Sequence, residues 1–248
     1  MKTAFALSVV LVSSVLLLAT AGVTLADSDL ACADLPYVKN VFPTTVYGPA
    51  AADVITASTN FLACTQGTYA LCYYAGAKGA PCKLDEDGST AHCQCEVFQA
   101  SADEPYYVDI NAILNTCIYV ETIAACGHDG SLCTEPDSAP VCDYIAANKF
   151  NPDAQVISTF SFQTVGDFNI GCTDCSGDQA GVYAGCMTAP CTRGNADNQA
   201  ICACPTFDGP YQFGRRGEQY TCNAGEGLVW SAAYNPDGCG GVSVPSKE

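Results

Sequence analysis

Two short spacings carry the sharpest chemistry in the chain, Cys93-Gln94-Cys95 and Cys202-Ala203-Cys204. A disulfide closed between such near neighbours would be strained and oxidising, and labile disulfides do redox work. The thiolate needs a positive neighbourhood to become reactive. His92 and Glu96 flank the first pair and Ile201 and Pro205 the second, so no cation recurs beside both. The structural reading is preferred: the two cysteines of each pair point to opposite faces of a strand or turn and bond elsewhere.

Three other groupings were weighed. The loop Asp85-Glu86-Asp87-Gly88-Ser89 offers hard oxygen ligands beside a turn-making glycine, which makes Asp85 and Asp87 candidate calcium ligands. It lacks the closing glutamate of an EF-hand, and a plain exposed acidic loop explains it as well. The adjacent pairs Tyr73-Tyr74 and Tyr106-Tyr107 could stack a sugar or anchor a protein partner. Tyrosine is also a favoured strand residue, and alternation turns one of each pair outward. Hydrolysis has little support: there are 2 histidines, His92 and His128, and neither a G-x-S-x-G nor an H-E-x-x-H motif. The 26 acidic residues offer many carboxylate pairs, but no spacing singles one out, so no catalytic residue is assigned.

The charge balance narrows the field of partners. Against 26 acids stand 9 basic residues, and the pI is near 4.1. Such a chain cannot supply the counterion release that nucleic-acid binding relies on. Lys2, the apolar run from Ala4 to Ala19 and the small residues after it read as an export signal spanning 1–26, cut after Ala26 or after Ala21. No later apolar stretch is long enough to cross a membrane. The 18 cysteines of an exported chain are most simply disulfides in a secreted or periplasmic, oxidising compartment.

The elements that position these residues recur. Residues 73–98 align without a gap on 182–207, with Ala80-Pro81-Cys82 over Ala189-Pro190-Cys191 and Cys93 and Cys95 over Cys202 and Cys204. Pro105-Tyr106 meets Pro210-Tyr211 downstream; Val54-Ile55 faces Val156-Ile157 and Cys64 faces Cys172 upstream. The expected organisation is a cysteine-rich repeat over 27–133, a linker at 134–141 and a second repeat over 142–248. Cys72, Cys126, Cys175 and Cys186 have no counterpart in this alignment and could pair among themselves. Each repeat then holds nine of the 18 cysteines, so complete bonding requires an odd number of bonds between repeats. Cys133–Cys142, across the short linker, is the first candidate; equivalent cysteines such as Cys95 and Cys204 would serve if the repeats met around a two-fold.

Alternation is the commoner pattern, with Leu228, Trp230, Ala232 and Tyr234 on one strand face and Val229, Ser231 and Ala233 on the other. Ile110, Ile113, Leu114, Cys117 and Ile118 predict a helix capped by Asp109, and 140–149 a short one entered by Pro140. The expected fold is mainly β: two tandem disulfide-stapled repeats with one or two short helices.

Ala189-Pro190-Cys191, the run Ala200 to Cys204 and Ser158-Thr159-Phe160-Ser161-Phe162 resemble a pattern in exported, cysteine-rich bacterial proteins. The resemblance covers about half the chain and implies a periplasmic or extracellular setting; it brings no activity and no site residues. The leading functional expectation is a binding or surface-structural protein whose partner is a protein or a glycan. The alternatives are a thiol–disulfide oxidoreductase, a carboxylate-pair hydrolase, and a calcium-stabilised adhesion or matrix component.

Overall fold

The computed structural model describes residues 30–33, 61–72, 80–159, 173–214 and 219–234. The signal segment, Tyr73, Tyr74, Phe160, Phe162, Cys172 and Cys239 lie outside them. The fold is mainly β, as expected, and no helix among the described residues is long and apolar enough to cross a membrane.

Two long strands form its centre, β4 (Thr90–Gln99) and β10 (Gln199–Gly209). They pair antiparallel, and Cys93 lies directly opposite Cys202. Along β4 the inward positions are Ala91, Cys93 and Cys95; along β10 they are Ala200, Cys202 and Cys204, all fully buried. His92, Gln94 and Ile201 alternate outward, as the pleat requires.

Around this ribbon the sheet closes on itself twice. β4 pairs with β2 (Thr68–Leu71), β2 in parallel with β6 (Val156–Thr159), β6 with β9 (Pro190–Arg193), and β9 with β10. On the other side β10 pairs with β8 (Gly181–Ala184), Ala184 bridges in parallel to Ser231, and β12 (Leu228–Val229) pairs with β3 (Cys82–Leu84), which returns to β4. A sheet wound this tightly has a narrow interior. It holds alanines and four disulfides rather than large side chains: Cys72–Cys95, Cys82–Cys93, Cys186–Cys204 and Cys191–Cys202. The Cys93 and Cys186 sulfurs belong to different bonds yet touch at 3.4 Å.

An aromatic layer flanks this centre on each side. Tyr69 lies against Phe98 at 5.7 Å and Tyr106 at 5.1 Å; Tyr183 lies against Phe207 at 5.8 Å and Tyr211 at 5.2 Å. Tyr106 stands in β5 (Tyr106–Asp109), which pairs with β1 (Phe61–Cys64) and sets Tyr106 opposite Cys64. Tyr211 stands in β11 (Tyr211–Phe213), which pairs with β7 (Thr173–Cys175) and sets Tyr211 opposite Cys175. Cys64 and Cys175 thus take corresponding places opposite Tyr106 and Tyr211, as Tyr69 and Tyr183 do opposite Phe98 and Phe207.

Among the described residues, the α-helices lie on the first side. Asp109 caps a 3-10 turn, Ile110–Ala112, and the α-helix begins later: α1 spans Thr116–Cys126, with Asn115 Oδ1 accepting the Ile118 N–H at 3.1 Å. The single long helix expected from Ile110 is therefore split. α2 (Pro140–Ala146) starts at its proline as predicted. At the C-terminal end, Leu228 to Tyr234 is not one alternating strand. Val229 faces the sulfur core while Trp230 faces the outer aromatic layer, so both faces are covered, and β13 (Ala233–Tyr234) turns away to β11.

The disulfides correct three expectations. Cys133 bonds Cys126 and Cys142 bonds Cys64, so Cys133–Cys142 does not form. A linker-spanning bond would be short in sequence, but Cys133 is held at the C-terminal end of α1, whereas α2 turns Cys142 toward β1. The bond crossing the predicted boundary is Cys64–Cys142. Cys72, Cys126, Cys175 and Cys186 do not pair with one another; Cys72 and Cys186 play the same part, each holding the second cysteine of a Cys-x-Cys pair. Cys93 and Cys95, like Cys202 and Cys204, share one face because residues two apart on a strand do so, and neither pair closes on itself. Cys32–Cys117 and Cys175–Cys222 complete the eight bonds described.

Cys82–Cys93 and Cys191–Cys202 each close a hairpin across 11 residues. Replacing both members of either bond by alanine is expected to lower the unfolding free energy by about 3 kcal/mol, read by urea titration. A loss below about 1 kcal/mol would mean that these bonds do not hold the sheet closed.

Candidate functional site

The residues singled out by sequence do not converge. Cys93, Cys95, Cys202 and Cys204 are fully buried, and each is bonded to a third cysteine. Asp85 and Asp87 sit in the β3–β4 turn with different partners: Asp85 Oδ1 lies 3.1 Å from His92 Nε2, while Asp87 Oδ1 accepts from Ser89 N and Oγ at 2.9 Å. Gly88 makes the turn at φ +70°. Among the described residues, the sets of three potential ligands close enough to share a metal ion are all cysteine sulfurs. Tyr106 is core and its neighbour Tyr107 half-buried.

A different place gathers uncompensated polar groups. A cleft of about 150 Å³ opens between the two sides of the molecule. The first side contributes Phe61 at the start of β1, Asp109 opposite it at the end of β5, the 3-10 turn, and Thr159 at the end of β6. The second contributes Tyr183, Phe207 and the stretch from Ser231 to Tyr234. Gly185 lets Phe207 lie across this wall, because a Cβ there would stand 2.3 Å from the ring. The Cys72 and Cys186 sulfur residues border the cleft and tie it to the core.

Three polar groups in this mostly apolar wall stand out. Thr159 Oγ1 and Ser231 Oγ are buried and find no hydrogen-bond partner among the described residues. Ser158 shows what Ser231 lacks. It faces Ala70 across parallel strands as Ser231 faces Ala184, yet its hydroxyl donates to the Cys186 carbonyl and accepts from Ala189 N–H at 3.0 Å. Leaving such a hydroxyl unpaired costs about 1–3 kcal/mol. The third group is Asp109. As a residue it is half-buried, but its carboxyl is enclosed, and burial pushes it up from 3.8 to about 6 against the lowering effect of the Asn111 N–H bond at 3.0 Å. Among the described residues, the lining holds no lysine, arginine or histidine to compensate it.

A second groove, about 320 Å³, runs past His92, Asn151, Asp153 and Ile201. Two of its polar side chains are engaged within the chain, His92 with Asp85 and Asn151 Oδ1 with the Asp153 N–H at 2.9 Å, and among the described residues none of its side-chain polar atoms is both buried and unpartnered. The smaller cleft is therefore the candidate site. Sequence reasoning treated Asp109 only as a helix cap and did not single out Thr159 or Ser231 as site residues. One signal was present: Asp109 is the single charged residue between Pro105 and Val120.

No family model, curated protein or solved structure matches the chain.

Because the folded protein holds the Asp109 proton more tightly than the unfolded chain does, stability falls as pH rises from 3.8 to about 6 and stays lowered above that. The shift corresponds to a penalty on the order of 2–3 kcal/mol at neutral pH. Asp109→Asn keeps the capping oxygen and removes the charge. It is expected to raise the unfolding free energy by about 2 kcal/mol at pH 8 and by little at pH 4. An equal gain at both pH values would show that the carboxylate is not the cause.

Proposed function

We propose that this is an exported binding protein of an oxidising compartment and that the cleft between its two sides is the ligand site. The observation that carries this reading is the pair of buried hydroxyls, Thr159 Oγ1 and Ser231 Oγ, without partners among the described residues in a mostly apolar wall. Buried polar groups are normally satisfied, and an exception at a cavity fits a ligand that supplies the missing bond. The eight disulfides suit the compartment. Binding is favoured over catalysis because, among the described residues of the lining, no hydroxyl is hydrogen-bonded to the one carboxylate as a nucleophile is to its base. A glycan or protein partner at the tyrosine pairs has less behind it, since Tyr106 lies in the core.

The same reading accounts for where the cleft lies. The matched registers of β2 with β8, β3 with β9, β4 with β10 and β6 with β12 support an internal duplication. Its natural halves are 30–159 and 173–234, because β6 is laid against β2 in the way that Ser231 is laid against β8. The ligand site falls where the halves differ: Ser158 is satisfied and Ser231 is not.

A cavity of about 150 Å³ is large enough for benzene. Titration with toluene, followed by the methyl resonances of Met187 and Thr159, is expected to saturate. Ala112→Phe, which fills the cleft from the 3-10 turn, is expected to abolish the shifts without lowering the melting temperature. Absence of saturable shifts in the unmodified protein would overturn the assignment of the site.

A further inference from the structure

Resting on that reading of the cleft, we propose that its ligand is a small organic amine: a protonated amino group on an apolar body of about one aromatic ring. The lining holds one carboxylate, Asp109, and two buried hydroxyls without a partner among the described residues, Thr159 and Ser231, beside the Asn111 amide and the phenols of Tyr183 and Tyr234. A carboxylate only accepts hydrogen bonds, and a hydroxyl can accept while donating. The chemistry lacking from the cleft is therefore a cluster of donors with positive charge. An ammonium brings three donors and the charge at one atom, which matches one carboxylate and two hydroxyls in number.

The walls point the same way. Phe61, Tyr183, Phe207 and Tyr234 all border the cleft. The negative face of an aromatic ring attracts a cation that has shed its water. An anionic ligand would meet Asp109 with no lining cation to offset it, and a neutral hydrocarbon would leave the Thr159 and Ser231 hydroxyls unsatisfied. The chain also carries a net charge of −17, which draws cations toward the protein and repels anions.

The surroundings of Asp109 leave its charge to act alone. Phe61 faces it across the β1–β5 pair, and Asn111 donates from the 3-10 turn. The other titratable side chains of the lining are the phenols of Tyr183 and Tyr234, while Cys72 and Cys186 are held in disulfides. Amine binding needs the ionised carboxylate, so affinity should fall as pH drops through the Asp109 titration near 6, where simple alkylamines remain protonated.

Calorimetric titration of the full folded protein with benzylamine, benzyl alcohol and toluene tests the idea. At pH 8 benzylamine is expected to bind at least about tenfold more tightly than toluene, with benzyl alcohol between them; at pH 4.5 that advantage should shrink to within about twofold. Asp109→Asn is expected to remove the benzylamine advantage while toluene binds as before, which also shows that the variant is folded. Thr159→Val and Ser231→Ala should each weaken benzylamine more than toluene. If toluene binds and benzylamine binds no tighter at either pH, the amine assignment is overturned and the cleft reading survives. If neither binds, the cleft reading itself fails.

Discussion

Everything in this molecule is arranged around a small volume of buried sulfur. The antiparallel pairing of β4 and β10 sets Cys93 against Cys202. Both strands send every second residue into an interior too narrow for leucine or phenylalanine. Alanine fits there but buries little area, so packing alone would leave the centre weak. Cross-linked cysteines solve both problems, because a disulfide fills space densely and restricts the unfolded chain at the same time. The outer aromatic layers, Tyr69 with Tyr106 and Tyr183 with Tyr211, can then lie at matching distances on the two flanks.

The cleft follows from the same constraint. With the centre filled by short side chains and fixed bonds, the interior cannot adjust to relieve a misfit at its border. Where the second side lacks the contacts that satisfy Ser158, the Ser231 hydroxyl stays unpaired and the wall stays open. Asp109 adds a carboxyl that the fold holds at a disadvantage near neutral pH. A rigid frame that keeps such groups exposed to a cavity is what preorganised recognition requires.

Much of the frame could be read from the sequence. The mainly β class, the structural rather than redox role of the Cys-x-Cys cysteines and the start of α2 at Pro140 were legible, but no strand was read over 91–95 or 200–204, and the two cysteines of each pair were expected on opposite faces. The errors came from register. The segment from Cys186 to Cys191 is shorter than that from Cys72 to Cys82, so a gapless alignment laid Tyr74 over Tyr183, whereas strand pairing matches Tyr69 with it. That slip hid the equivalence of Cys72 and Cys186. β6 pairs with β2 on one edge and β9 on the other, an arrangement that the likeness of Val156-Ile157 to Val54-Ile55 did not suggest. The cleft was out of reach for a plainer reason. Asp109, Thr159 and Ser231 are far apart in sequence, and a hydroxyl without a partner leaves no mark on residue type.

One feature of the closures bears on ancestry and assembly. β6 has one edge on β2 of its own side and the other on β9 across the molecule. β12 makes the reciprocal crossing, from β8 through the Ser231 bridge to β3. All eight disulfides described lie within 30–159 or within 173–234, so among the described residues the two sides are joined by strand pairing and by the shared buried core, not by a covalent bond. The first half, made by itself, would leave bare the edges of β3, β4 and β6 that now pair with β12, β10 and β9. The surface that fits these edges belongs to another half in the opposite orientation, so the lone polypeptide would complete its sheet by pairing with a second copy. In the joined chain the tether makes that encounter intramolecular, and the edges are covered at any protein concentration.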